Sequence, residues 1–228
     1  MRVAVLTLTR NRLDYTKHCF ASLREHAGCE FDHFVYDNAS DDGTFPWLVA
    51  ERQARRIRCL MSGTTNQGIS KGLNWLLREI DRLQRSGLPP YDVIVKFDND
   101  CELVQPDTLR DVCRLALEGD CLLSPRILGL RNPPAATRRL RIGDETILDV
   151  PQIGGIFLAA PAWVYDEFRY SPNNPLHGQD DVEICWWFRG LGGTCGYVER
   201  LEAWHYETTD GQWDRFPEYF AEKEGAAV

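Results

Sequence analysis

The feature that most constrains this chain is a unit that recurs four times before residue 124: a short apolar run, then a segment whose apolar residues fall at helical spacing. The first unit is "VAVLTL" (3–8) followed by "DYTKHCFASLREH" (14–26), with Tyr15, Cys19, Phe20 and Leu23 on one helical face. The second is "HFVYD" (33–37) with a helix from about Thr44, and the third is "IRCLM" (57–61) with "KGLNWLLREIDRLQR" (71–85), closed by "SGLPP". The fourth is "YDVIVKFD" (91–98), then Pro106 at a helix start and apolar Leu109, Val112, Cys113 and Leu115. Strand–helix units in series predict an α/β fold with a central, mostly parallel sheet covered by helices on both faces. In such sheets ligands bind beyond the carboxyl ends of the strands.

Past "CLLS" (121–124) the rhythm changes. Residues 125–151 carry Pro125, Pro133, Pro134 and Arg126, Arg131, Arg138, Arg139 and Arg141, which reads as a loop and a solvated hairpin. A buried strand at "GGIFLAA" (154–160), a helix over 181–192 and short strands near "CGYV" and "AWHY" complete the chain as a small antiparallel, hairpin-containing C-terminal portion. No repeat or linker divides the 228 residues, enough for one substantial core. A single domain is expected, with a nucleotide-binding half over about 1–124 and an acceptor-binding half over about 125–228.

Hydrophobic residues at 43% and charged residues at 26% fit an ordinary globular protein, and a net charge of −8 disfavours nucleic acid and anionic lipid as partners. The eight cysteines include no C-x-x-C pair and lie mostly in apolar segments, so reduced core thiols and a cytoplasmic setting are expected. "MRVAVLTLT" is too short for a membrane span and lacks a small-residue cleavage site; it reads as the first strand.

Polar residues follow each strand: "TRNR" (9–12), "DNASDDGT" (37–44), "NQG" (66–68) and "DND" (98–100). Neither G-x-G-x-x-G nor G-x-x-x-x-G-K-[ST] occurs, so the phosphates of a nucleotide would need another counter-charge. Strand alternation sends Asp98 and Asp100 to the same side, where the two carboxylates repel unless a cation or protons intervene. A divalent cation held by Asp98 and Asp100 together with phosphate oxygens is the direct candidate.

In order, "VAVLTLTRNR", "VYDNASDDGT", "NQGISKGLN", "VKFDND", "GGIFL" and "QDDVEICWWFR" resemble the inverting family-2 glycosyltransferases of GT-A fold, over roughly residues 2–206. That resemblance implies a UDP- or dTDP-sugar donor, Mn2+ or Mg2+ as cofactor, and an acceptor glycan, peptide or other hydroxyl-bearing molecule. It implies that Asp98 contacts the ribose, Asp100 ligates the metal, and Asp37 meets the base or ribose, with Asp42 and Gly43 shaping the turn. Thr9 and Arg10 would border the base, and Asn66, Gly68 and Lys71 would lie beside the nucleotide. Of Asp180 and Asp181, the second would be the general base, and His205 a further metal ligand. The sequence departs from the family pattern at Arg10, where an aromatic is frequent, and at Gln179 and Asp180 around the usual glutamate.

Blander readings stand beside these. Asp98 and Asp100 could cap a solvated loop, "DNASDDGT" could be a simple Asx turn, and the 180–181 acids could serve a helix N-terminus. His205 beside Trp204 could be packed; one of Trp186 and Trp187 belongs to the core, while the other, or Trp213, could stack on an acceptor sugar. Two other functions compete: nucleotidyl transfer onto a sugar phosphate, which would want a glycine-rich N-terminal loop, and a sugar-nucleotide-binding module without catalysis.

Overall fold

The computed structural model describes residues 1–130, 133–175, 178–206, 212–218 and 221. The first units fold as β1 (Val3–Thr9), α1 (Leu13–His26), β2 (Phe31–Asp37), α2 (Thr44–Gln53), β3 (Cys59–Ser62), α3 (Gly68–Arg85) and β4 (Val93–Phe97). They are followed by β5 (Cys101–Leu103), α4 (Thr108–Gly119), β6 (Leu122–Leu128), a hairpin of β7 (Arg138–Ile142) and β8 (Glu145–Asp149), and β9 (Phe157–Pro161). The short α5 (Val164–Glu167), then α6 (Asp180–Gly190), β10 (Cys195–His205) and α7 (Gln212–Arg215) complete the described elements.

All the strands join one sheet in the order β3-β2-β1-β4-β9-β6-β10-β8-β7, with β5 paired to β10. The β1–β2, β1–β4 and β2–β3 pairs are parallel, as serial strand–helix units require. Beyond β4 the sheet turns mixed: β9 runs antiparallel to β4 and β6, and β10 runs parallel to β6 but antiparallel to β8 and β5. The two strands expected near "CGYV" and "AWHY" are halves of one continuous β10. A register shift between Val198 and Glu202 lets that strand bend and keep pairing with β6. The three-residue β5 carries no periodicity of its own to betray it; its partner on β10 defines it.

Burial explains the apolar runs. β4 and β9 are buried at every position, which marks central strands covered on both sides. Cys19, Phe20 and Leu23 of α1 and Leu73, Leu76, Leu77 and Ile80 of α3 close the core over the parallel half. Each large side chain so buried contributes about 1.5–3 kcal/mol relative to exposure. No helix among the described residues is long and apolar enough to cross a membrane. The parallel strands all end on one side, and β10 delivers His205 to that same side.

Candidate active site

A cavity of about 330 Å³ opens where β1, β2 and β4 end, between the N-termini of α3 and α6. Thr9, Arg10, Arg12, Asp98, Asp100 and Asp181 are among the residues that line it. Lys96, Gly155, Asp180, His205 and Gln212 line it too.

Asp98 and Asp100 do not share one partner. Asp98 Oδ1 lies 3.0 Å from Lys96 Nζ, whereas Asp100 Oδ2 lies 2.7 Å from Arg12 Nη1. The cations facing these carboxylates therefore come from the chain itself. Arg12 sits at φ 60, just before α1, and that left-handed turn sends its side chain inward. Its guanidinium also donates to Asn99 Oδ1 (3.0 Å) and Gln212 Oε1 (2.8 Å), and Asn99 Nδ2 donates to Thr16 Oγ1 (2.9 Å). These bonds tie the exit of β4 to α1 and to α7.

His205 Nε2 stands 3.5 Å from Asp100 Oδ1, while Asp100 Oδ2 meets Arg12 Nη1. Gly129 makes room for this arrangement. It adopts φ +93, and a Cβ there would lie 2.1 Å from the His205 carbonyl oxygen, so only glycine lets the end of β6 close against the end of β10. Burial alone would raise the Asp100 carboxyl; Arg12 and His205 outweigh it and hold the group well below the usual carboxylate range. Asp98 goes the other way: burial, with the charges of Asp100 and Asp180, pushes it up against the pull of Lys96.

Asp180 and Asp181 open α6, where the helix dipole favours negative charge. Asp180 is 3% exposed and places Oδ2 3.0 Å from Lys96 Nζ. Asp181 is held by hydrogen bonds from the Gly155 N–H (3.2 Å) and the Val182 N–H (2.9 Å), and no ion pair to it is found among the described residues. Burial and the neighbouring Asp180 charge push its carboxyl up, with Lys96 and the two amides restraining the rise.

The remaining expected residues divide. Thr9, Arg10, Asn66 and Gly68 line the cavity. Arg10 donates to the Ala39 carbonyl, and Asn66 Oδ1 accepts from the Gly68 N–H at 2.9 Å, which shapes the start of α3. Asp37 lies beneath the cavity at 1% exposure; it accepts from Thr9 Oγ1 (2.7 Å), Ser40 Oγ (2.6 Å) and Ser40 N–H (2.9 Å), bonds that hold the loop after β2. Asp42 accepts from the Leu13 and Thr44 N–H groups (both 3.0 Å), and Gly43 takes φ +96 in that turn. Lys71 is exposed on α3 and is not brought to the cavity. Trp187 packs on Trp163 and Phe168, with ring centroids 6.4 and 5.3 Å away, while Trp186 is 68% exposed. The Trp213 side chain lies outside the described residues, as do Arg131, Leu176 and His177.

Lys96, Arg12, Asn99 and Gln212 were not foreseen. A signal existed for Lys96, a charged residue inside the apolar run "YDVIVKF", and for Arg12, the second arginine of "TRNR".

Compared by sequence, the chain matches no protein-family model and no curated protein. Solved structures do resemble it. A mannosyltransferase from Pyrobaculum calidifontis, PcManGT, in complex with GDP-Man and Mn2+, aligns with TM-score 0.68 at 15% identity, over 99% of this chain and 64% of that one. GalNAc-T7 with UDP, GalNAc and Mn2+ aligns with TM-score 0.69 at 11% identity, over 92% and 44%. S. aureus TarS 1-349 in complex with UDP aligns with TM-score 0.66 at 14% identity, over 100% and 65%. The chain thus spans less than two thirds of the length of each of these proteins. These likenesses show the GT-A glycosyltransferase fold: one α/β domain with a mixed, mostly parallel central sheet flanked by helices.

Proposed function

We propose that the protein is an inverting glycosyltransferase that moves a sugar from a nucleoside-diphosphate sugar to an acceptor hydroxyl, with Asp181 as general base. One observation carries the reading. Of Asp98, Asp100, Asp180 and Asp181, which all line the cavity, Asp181 alone shows no ion pair among the described residues. A base must present a carboxylate that is not already neutralised, and a raised pKa improves its grip on the transferred proton. The acceptor oxygen bonds to the anomeric carbon as the bond from that carbon to the diphosphate oxygen breaks. The hydroxyl proton passes to an oxygen of Asp181. Displacement in one step from the opposite side inverts the anomeric centre.

The donor set fits a divalent cation. Asp100 Oδ1 and His205 Nε2, 3.5 Å apart, offer one carboxylate and one imidazole, although no cluster of three His, Cys, Asp or Glu residues is found among the described residues. That suits an ion which takes its other ligands from diphosphate and water, and the imidazole favours Mn2+ over Mg2+. When bound, the cation would offset charge on the departing diphosphate. The Mn2+ named with two of the similar structures supports this part of the reading. Asp98, tethered to Lys96, is assigned to the ribose, and Thr9, Arg10, Asn66 and Gly68 to the nucleoside side of the cavity. Residues over about 1–124 are assigned to the donor half and those over about 125–228 to the acceptor half, with His205 reaching across to the cation.

Nucleotide names with the similar structures include both UDP and GDP-Man, so the test spans bases. Incubation with UDP-, dTDP- and GDP-sugars and Mn2+ should release a nucleoside diphosphate, from a UDP- or dTDP-sugar first, and NMR of the product should show the anomeric configuration inverted. Release of pyrophosphate would favour nucleotidyl transfer instead. No turnover of any donor would return the chain to a binding role.

A further inference from the structure

Lys96 is a lysine inside the central strand β4, and its residue is 2% exposed. Taking an ammonium group so far out of water is costly unless charges and hydrogen bonds meet it. Three groups do so: Asp98 Oδ1 at 3.0 Å, Asp180 Oδ2 at 3.0 Å, and the Gly155 carbonyl oxygen, which accepts from Nζ. The same Gly155 donates its N–H to Asp181 Oδ2 at 3.2 Å. One peptide residue thus connects the lysine to the second acid of the pair. A side chain there would push on Lys96, Asp180 and Asp181 alike. A Cβ on Gly155 would lie 2.7 Å from Lys96 Nζ, 3.0 Å from Asp180 Oδ2 and 3.2 Å from Asp181 Cβ. The loop before β9 is further fixed because Asp98 N–H donates to the Ile156 carbonyl at 2.9 Å.

We propose that Lys96 is a positioning residue: it holds Asp180 by an ion pair and, through Gly155, fixes the Asp181 carboxylate toward the acceptor hydroxyl. The proposal rests on the reading of Asp181 as the base. Two adjacent carboxylates at one helix start repel each other, and a flexible pair would spread over several orientations. The ammonium holds the first acid and the glycine loop holds the second. Asp180 therefore acts as an anchor and Asp181 keeps the geometry that chemistry needs. A displacement of about 1 Å in such a group can cost on the order of 10²-fold in rate.

The test uses the full chain, Mn2+, and the member of the UDP-, dTDP- and GDP-sugar panel that the unmodified protein turns over fastest. Lys96→Met should lower kcat by about 10–100-fold at saturating donor, the condition that separates this loss from the weaker UDP binding expected once Asp98 is untethered. In the Asp181→Asn background, Lys96→Met should cause little further loss, because the group it positions has already lost its function. A full additional loss would overturn the proposal and assign Lys96 to structure alone. Should a thermal scan show that Lys96→Met does not fold, Gly155→Ala disturbs the same relay without removing a charge. It should lower kcat with UDP affinity intact, and a wild-type kcat would overturn the proposal. Wild-type turnover by Asp181→Asn would defeat the base assignment itself; an inactive Asp181→Asn beside a fully active Lys96→Met would defeat only the role of Lys96.

Discussion

Arg12 Nη1 and Asp100 Oδ2 meet at 2.7 Å, with side chains only 4% and 11% exposed. The contact joins the loop after β1 to the turn after β4, and Asn99 and Gln212 occupy further guanidinium donors. Removing one partner of a buried pair strands the other charge, so Arg12→Met should lower stability by roughly 3–5 kcal/mol in urea unfolding at neutral pH. Arg12→Lys should fall between that variant and wild type, since a single ammonium cannot reach three acceptors in the guanidinium's fixed geometry. An unaltered unfolding midpoint for Arg12→Met would mean that water or His205 compensates the carboxylate.

The other oxygen of Asp100 faces His205, and this pair carries the cation prediction. Asp100→Ala should abolish turnover and weaken UDP binding measured calorimetrically with Mn2+. His205→Ala should leave activity recoverable at higher Mn2+. Undiminished turnover in Asp100→Ala refutes the assignment, and an unchanged Mn2+ titration for His205→Ala makes that imidazole a packing group.

Much of the parallel half was legible because its inner strands are apolar runs buried at nearly every position, as in "VAVLTL" and "VIVKF", while the half-buried edge strand β3 still reads as the short apolar run "IRCLM". The far half was less so. β10 is interrupted by the polar stretch around Glu199 and Arg200, where its register shifts, so a continuous strand looks like two. At the site, "DND" and the acids at 180–181 stood out as carboxylates clustered at element ends. Their partners did not. The pairing of Asp98 with Lys96 and of Asp100 with Arg12 depends on side-chain direction across separate strands, which no single periodicity encodes. Asp37 shows the converse: a polar residue at a strand end whose oxygens accept from Thr9 at the end of β1 and from Ser40 of its own loop.

His33 supplies a pH prediction independent of the site. It lies buried on β2 with Nε2 3.0 Å from Thr7 Oγ1, and its ring is 4.4 Å from that of Phe20. Burial, assisted by the charge of Arg24, lowers its pKa from 6.5 to about 3. The folded protein therefore keeps the ring neutral where the unfolded chain binds a proton. Its contribution to stability is intact above pH 6.5 and is lost as pH falls from 6.5 toward 3, by up to roughly 5 kcal/mol. His33→Gln, which can still bond Thr7 but cannot titrate, should flatten the decline in urea midpoint between pH 7 and pH 4. An equally steep decline in the variant would place the acid sensitivity in other groups.

Asp181 separates binding from chemistry. A base acts as the proton moves, so Asp181→Asn should lower kcat by about 10²–10⁴-fold while affinity for UDP with Mn2+ stays near wild type. The change keeps shape and removes charge, and a thermal scan checks that folding survives. Burial and the charge of Asp180 raise the Asp181 carboxyl above its ordinary value. Only the ionised form can accept the acceptor's proton, so wild-type kcat should fall as pH drops through that raised value, along a limb lying above the usual aspartate pKa of about 3.9. Asp181→Asn should lose this limb. Asp180→Asn should cost less, because its charge answers Lys96 and not the acceptor. If Asp180→Asn is dead and Asp181→Asn turns over normally, the roles are exchanged by one position; if both remain active, another group takes the proton.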